Sequence, residues 1–134
     1  MKKNLTICMM ATMALMLTMT LLSAAPANDT MVKENGTYIV NTTTLGKDVV
    51  GYVGTTPLKI YIKKNKIVKI EALKNQETPK YWAKVKRQLL TKWDGMKVKD
   101  ALKQQVDGVT GATFSTDAVK ENVRLGLEYY KAHK

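Results

Sequence analysis

Cysteine is almost absent from this 134-residue chain: there is one, Cys8. A lone thiol excludes an intrachain disulfide and any cysteine-built zinc or iron–sulfur centre. Histidine is as scarce, since His133 is the only one, and a metal site needs ligand company that it lacks. Acidic residues number 11 against 22 lysines and arginines, so the formal charge is +11. Such a charge attracts nucleic acid, anionic lipid or acidic partners and keeps a small protein soluble. The lysines, however, are spread over strand-like and helix-like segments and form no long basic block, which argues against nucleic-acid binding. Internal repeats and low-complexity stretches are also missing. Redox chemistry, if the chain performs any, must come from an acquired cofactor.

Long apolar runs are confined to one place. Met1-Lys2-Lys3-Asn4 precedes a Met-rich stretch from Leu5 to Leu22 and then small residues, Ser23-Ala24-Ala25-Pro26-Ala27. This is the layout of a secretory signal peptide over residues 1–27, with Ala25-Pro26-Ala27 as the cleavage site. The same stretch could just span a bilayer, so an uncleaved anchor is the rival; threonines 6, 12, 18 and 20 and the small-residue end favour cleavage. Cys8 leaves with the segment, and without Lys2 and Lys3 the charge falls to about +9. The sequence thus points to an exported protein, periplasmic or extracellular, membrane-associated only if the segment is retained.

Residues 28–44 are polar and read as a flexible lead-in with one short strand, Thr37 to Val40. Residues 45–134 read as one domain of the α+β class, a small antiparallel sheet packed against two to three helices. Three strands are predicted: Val49–Val53, then Leu58–Lys63 and Lys66–Ala72, the last two joined by Lys64-Asn65 as a β-hairpin. Their lysines fall on one face and isoleucines on the other, so the sheet is buried on one side and helices must cover it. Thr78-Pro79 starts a helix, with Thr78 at N-cap and Pro79 at the first helical position, and Trp82, Val85, Leu89 and Trp93 repeat at helical spacing. Val98 to Gln104 forms a further short turn. A last helix begins near Ser115, with Asp117 in its first turn and Val119, Val123, Leu127 and Tyr130 on one stripe.

Between those helices lies Val106-Asp107-Gly108-Val109-Thr110-Gly111-Ala112-Thr113-Phe114-Ser115. Three hydroxyls, two glycines and a carboxylate feed directly into a helix amino terminus, where unpaired N–H groups and the helix dipole stabilise an anion. Gly111 and Ala112 keep the loop low enough for a bulky ligand to approach. On chemistry alone an anion site competes with a capped loop in which Ser115 or Thr116 is the N-cap.

The run Asp107 to Ser115 resembles the flavinylation motif of the FMN-binding domain family, D-G-x-[ST]-G-A-T-x-[ST], found in the C subunit of the sodium-translocating NADH:quinone reductase and in many exported flavoproteins. A chance match in a chain this long is on the order of 10⁻⁶ at average residue frequencies. Asn75-Gln76-Glu77-Thr78-Pro79 is similar to the family's N/H-x-E-T-P-G segment, with Lys80 where the family usually has Gly. The resemblance spans roughly residues 46–130.

The resemblance implies FMN joined through its phosphate to Thr113, installed by a flavin transferase that takes FAD as donor and uses a divalent metal. It implies that Asp107 matters for modification, that Thr110 and Ser115 bond the loop or phosphate beside Gly111 and Ala112, and that Glu77 and Thr78 border the flavin ring. The protein would then be an electron carrier with no substrate chemistry of its own, relaying electrons to an extracytoplasmic or membrane redox partner. A non-redox binding or adhesion module that kept the fold is the alternative. Tyr81 and Phe114 flank the two segments and are the stacking candidates, whereas Trp82 and Trp93 sit at core spacing and Lys80 reads as solvent-exposed.

Overall fold

Two tight hairpins build the sheet. The computed structural model describes residues 30–104, 106–109 and 111–134; the expected leader at 1–27 and Thr110 lie outside the described residues. Strands β1 (Met31–Glu34) and β2 (Thr37–Asn41) turn through Asn35-Gly36, at φ 50° and 79°. Strands β3 (Leu58–Lys63) and β4 (Lys66–Ala72) turn through Lys64-Asn65, at φ 52° and 61°. Two consecutive left-handed residues make the turn whose twist matches that of the strands it joins. The order is β1-β2-β3-β4, antiparallel throughout, with Val40 opposite Ile60 and Ile60 opposite Ile70.

Among the described residues three helices and one short 3₁₀ turn complete an α+β fold: α1 (Pro79–Gln88), the 3₁₀ turn Leu90–Trp93, α2 (Val98–Lys103) and α3 (Thr113–His133). The predicted helix over 79–93 therefore breaks at Leu89. α3 lies against β2 and β3 and the 3₁₀ turn against β4. Val40, Leu58, Ile60, Ile62 and Ile67 are fully buried beneath Val119, Val123, Leu127 and Tyr130, the predicted stripe. Each such Ile, Leu or Val contributes roughly 1.5–3 kcal/mol by leaving water. α3 approaches the sheet closely at Gly126, where a Cβ would stand 2.5 Å from Ile60 Cδ1. Trp82, Val85, Leu89 and Trp93 are likewise buried, as their spacing predicts.

Four expectations are corrected. Residues 28–44 were expected to supply one short strand; they supply two, because Asn35-Gly36 closes a hairpin and β2 pairs along its length with β3. Val49–Val53 is not a strand of the sheet but part of the excursion 42–57, with a single bridge between Val50 and Thr55. The alternation in β4 is interrupted by a bulge: Tyr61 faces Lys69 and Ile62 faces Ile67, leaving Val68 without a counterpart and half exposed. An inserted residue lets Ile67 and Ile70, three apart, share the buried face. Finally, α3 begins at Thr113 rather than near Ser115, which puts Asp117 beyond the first turn.

The excursion 42–57 is tied down by polar side chains. Buried Thr42 donates its backbone N–H to Leu58 O at 2.9 Å and accepts from Leu58 N with its own hydroxyl at 2.9 Å. Asn122 of α3, fully buried, donates to Thr56 Oγ1 at 3.3 Å and to Ala118 O at 2.9 Å. Its other atom, Oδ1, lies against Gly46, where a Cβ would stand 2.0 Å away. Among the described residues no helix is long and apolar enough to cross a membrane.

Candidate functional site

The loop before α3 is shaped by its own small and hydroxylated residues. Val106 and Val109 are buried and anchor it. Ala112 N donates to Val109 O at 3.1 Å, closing a turn in which Gly111 has φ 85°, a conformation that glycine adopts without steric cost. Thr116 N then donates to Ala112 O at 2.9 Å, the first helical bond.

Neither predicted cap is used as one. Ser115 is buried and donates its hydroxyl to Glu77 Oε1 at 2.8 Å; buried Thr116 accepts from Val109 N at 3.3 Å. Ala112 occupies the N-cap position and no side chain among the described residues caps the helix. The first-turn N–H groups of a 21-residue helix therefore present their partial positive charge beside the exposed Thr113.

These elements enclose a cleft of about 320 Å³ lined by Gly111, Ala112, Thr113, Phe114 and Ser115 on one side and by Tyr52, Thr78 and Tyr81 on the other. A volume of this size is at the small end of ligand sites. Thr78 holds the N-cap position of α1 and Pro79 follows it, as predicted, but the hydroxyl makes no capping bond. Three exposed aromatic rings form the rim. Tyr52 and Phe114, 70% and 66% exposed, stand 6.3 Å apart with their planes tilted by 30°, and Tyr81 is 42% exposed. Trp82 and Trp93 are in the core, and Lys80 is exposed.

Glu77 stands behind this wall. Its carboxylate is buried and accepts from Tyr52 N at 2.8 Å, Val53 N at 2.6 Å and the Ser115 hydroxyl, while Glu77 N donates to Asn75 Oδ1 at 3.0 Å. Gly51 permits the approach, since a Cβ there would stand 2.0 Å from Oε1. One carboxylate thus fixes the Tyr52 loop and the start of α3 relative to each other.

Of the residues singled out in the sequence, Gly111, Ala112, Thr113, Ser115 and Thr78 meet at the cleft, as do Tyr81 and Phe114. Glu77 braces the cleft rather than lining it. Asp107 is exposed and off the lining; its backbone oxygen accepts from Lys92 Nζ at 2.9 Å. Thr110 lies outside the described residues. Sequence reasoning missed Tyr52, because Val49 to Val53 carries the β-branched and aromatic composition of a strand. The available signal was Gly51 beside it, a residue that weakens strands and marks close approach.

The sequence model of the FMN-binding domain matches residues 51–128, which run from the glycine under Glu77 to the last third of α3. No curated protein and no solved structure matches the chain.

Proposed function

The chain belongs to the FMN-binding domain family, and from that premise we propose that it is an exported electron carrier whose FMN is joined through its phosphate to Thr113. The observation that carries the attachment is the exposed Thr113 hydroxyl on an uncapped helix terminus, beside an aromatic-rimmed cleft. The residues present suit the group. The α3 N–H groups meet a phosphodiester's remaining charge. The low backbone at Gly111 and Ala112 leaves room above it, and Tyr52, Tyr81 and Phe114 offer apolar faces to a planar ring system. The isoalloxazine supplies the redox chemistry when bound; the protein supplies position and environment.

Each side chain has a separate task in this reading. In the attachment step Thr113 Oγ forms a bond to the phosphorus of the FMN half of FAD as the pyrophosphate bond breaks. AMP leaves and the hydroxyl proton passes to the transferase. The β-branch of Thr113 limits χ1, so the linkage has fewer orientations to lose on ordering. Thr78 and Tyr81 bound the far wall, and Glu77 keeps the two walls in register. Asp107, exposed on the approach to the loop, serves recognition by the transferase.

Export rests on the leader at residues 1–27, and the redox partner accordingly works outside the cytoplasm or at the membrane. Intact mass of the exported protein from its native host tests the whole reading. A mass increase near that of FMN, yellow colour, and loss of both in Thr113→Ala are expected. A colourless protein of unmodified mass would favour the non-redox binding module, and FMN retained in Thr113→Ala would move the bond to Thr110 or Ser115.

A further inference from the structure

The far end of α3 carries a second recess, and its chemistry is unlike that of the cleft. A depression of about 410 Å³ is lined by Lys64, Lys66, Lys97, Lys99, Lys131 and Lys134, together with Asn65, Val98 and Tyr130. No Asp or Glu is among the lining residues. Tyr130 donates its hydroxyl to Asn65 Oδ1 at 2.6 Å, and Lys134 Nζ donates to the same atom at 2.9 Å, so the floor is pinned across the hairpin and the helix.

Lys131 and Lys134 have an ordinary explanation, since cations complement the negative end of a helix. Lys66, Lys97 and Lys99 do not. Lys63 stands directly opposite Lys66 in the β3–β4 register, and Lys97 is bridged to Lys66 on its other side. Backbone bonds from Ile67 N to Met96 O at 2.8 Å and from Val98 N to Asn65 O at 2.9 Å hold that row together. Like charges directly opposite on a sheet are destabilising. Lys97 and Lys99 also sit at the start of α2, where the helix dipole disfavours cations. Asp100, the one acidic residue of that first turn, does not line the depression. The fold therefore keeps clustered positive charge at a cost to itself, in a concave place.

We propose that this recess binds a small, free anion carrying several closely spaced phosphates. Ammonium groups act as compact point charges toward phosphate. Six lysines around one depression, rather than spread over a flat face, fit a compact ligand instead of a membrane surface. The site is independent of the flavin assignment.

Titration calorimetry of the purified flavoprotein with sodium tripolyphosphate tests this. One equivalent binds, more weakly as salt is raised, and inorganic phosphate binds far less well. The triple variant Lys66→Gln, Lys97→Gln, Lys99→Gln weakens tripolyphosphate binding by roughly tenfold, about 1.4 kcal/mol. A second triple variant, Lys33→Gln, Lys47→Gln, Lys74→Gln, removes the same charge elsewhere and binds as the parent does. The ligand-free first variant melts at or above the parent temperature, because repulsion has been relieved. No binding, or equal loss in both variants, would overturn the proposal. So would a lowered melting temperature in the ligand-free first variant, or binding to vesicles of phosphatidylglycerol without binding to tripolyphosphate.

Discussion

The two ends of α3 are held to the sheet by different forces. From Val123 to Tyr130 the contact is mainly apolar, a stripe laid on Val40, Ile60 and Ile62 and set by shape. From Thr113 to Asn122 the helix is positioned by polar atoms: Ser115 on Glu77, Thr116 on Val109 N, Asn122 on Thr56. Apolar packing is non-directional and supplies stability, whereas hydrogen bonds fix orientation at modest net gain. Stability and site geometry therefore reside in separate parts of one helix. That separation makes them separately breakable.

The largest effect belongs to the apolar end. Leu127→Ala should cost about 2–5 kcal/mol, read as a lowered denaturant midpoint, through lost burial and the cavity left behind. The protein that remains folded should carry its full complement of FMN. Glu77→Ala comes next, leaving Tyr52 N, Val53 N and the Ser115 hydroxyl without their acceptor, at about 2–3 kcal/mol in chemical denaturation. Unlike Leu127→Ala, it should also lower FMN occupancy among folded molecules, read as the ratio of flavin absorbance to protein. Equal occupancy in the two variants would collapse the comparison.

Thr113→Ala sharpens it from the other side. Stability should change by only about 1 kcal/mol or less, since the hydroxyl is exposed, while covalent FMN disappears from the intact mass; Thr113→Ser should restore it. The smallest effect is expected where neither force operates. Arg124 Nε donates to Glu121 Oε2 at 2.9 Å on the exposed face of α3. This hydrogen bond, above the opposing cost of burial, holds the Glu121 carboxyl below its ordinary value. Its stabilisation is present above the unfolded-state pKa near 4.3 and is lost as pH falls through the lower folded-state value. Solvent screening limits it, so Arg124→Ala should cost no more than about 0.5 kcal/mol at pH 7 and nothing at pH 2, by thermal melts at the two values.

The same division explains what could be read in the sequence. Periodicity reports burial, so the hairpin 58–72, apart from its bulge, and the stripes of α1 and α3 are legible in the sequence. The D-G-V-T-G-A-T-F-S run likewise marked the loop before α3. What periodicity cannot report is a contact made by one polar side chain across the chain. Glu77 reaches Tyr52 over 25 residues and Ser115 over 38. Without those bonds, Val49 to Val53 looks like a strand and Ser115 like a cap. The bulge at Val68 escaped for a related reason: K-I-V-K-I can alternate in either phase, and only the partner strand decides which.

The order of the strands also bears on how the molecule comes into being. Every strand pairs with its neighbour in the chain, through two tight hairpins and the 42–57 excursion, so the meander can condense early. The bonds that orient the start of α3 span 38 and 66 residues and must wait for that platform. A chain delivered unfolded across a membrane would thus build its sheet first and its attachment loop last. In refolding, the fluorescence of Trp82 and Trp93 should recover before competence for flavinylation does. The interval between them is the window in which Thr113 sits on a helix start not yet locked against the Tyr52 loop.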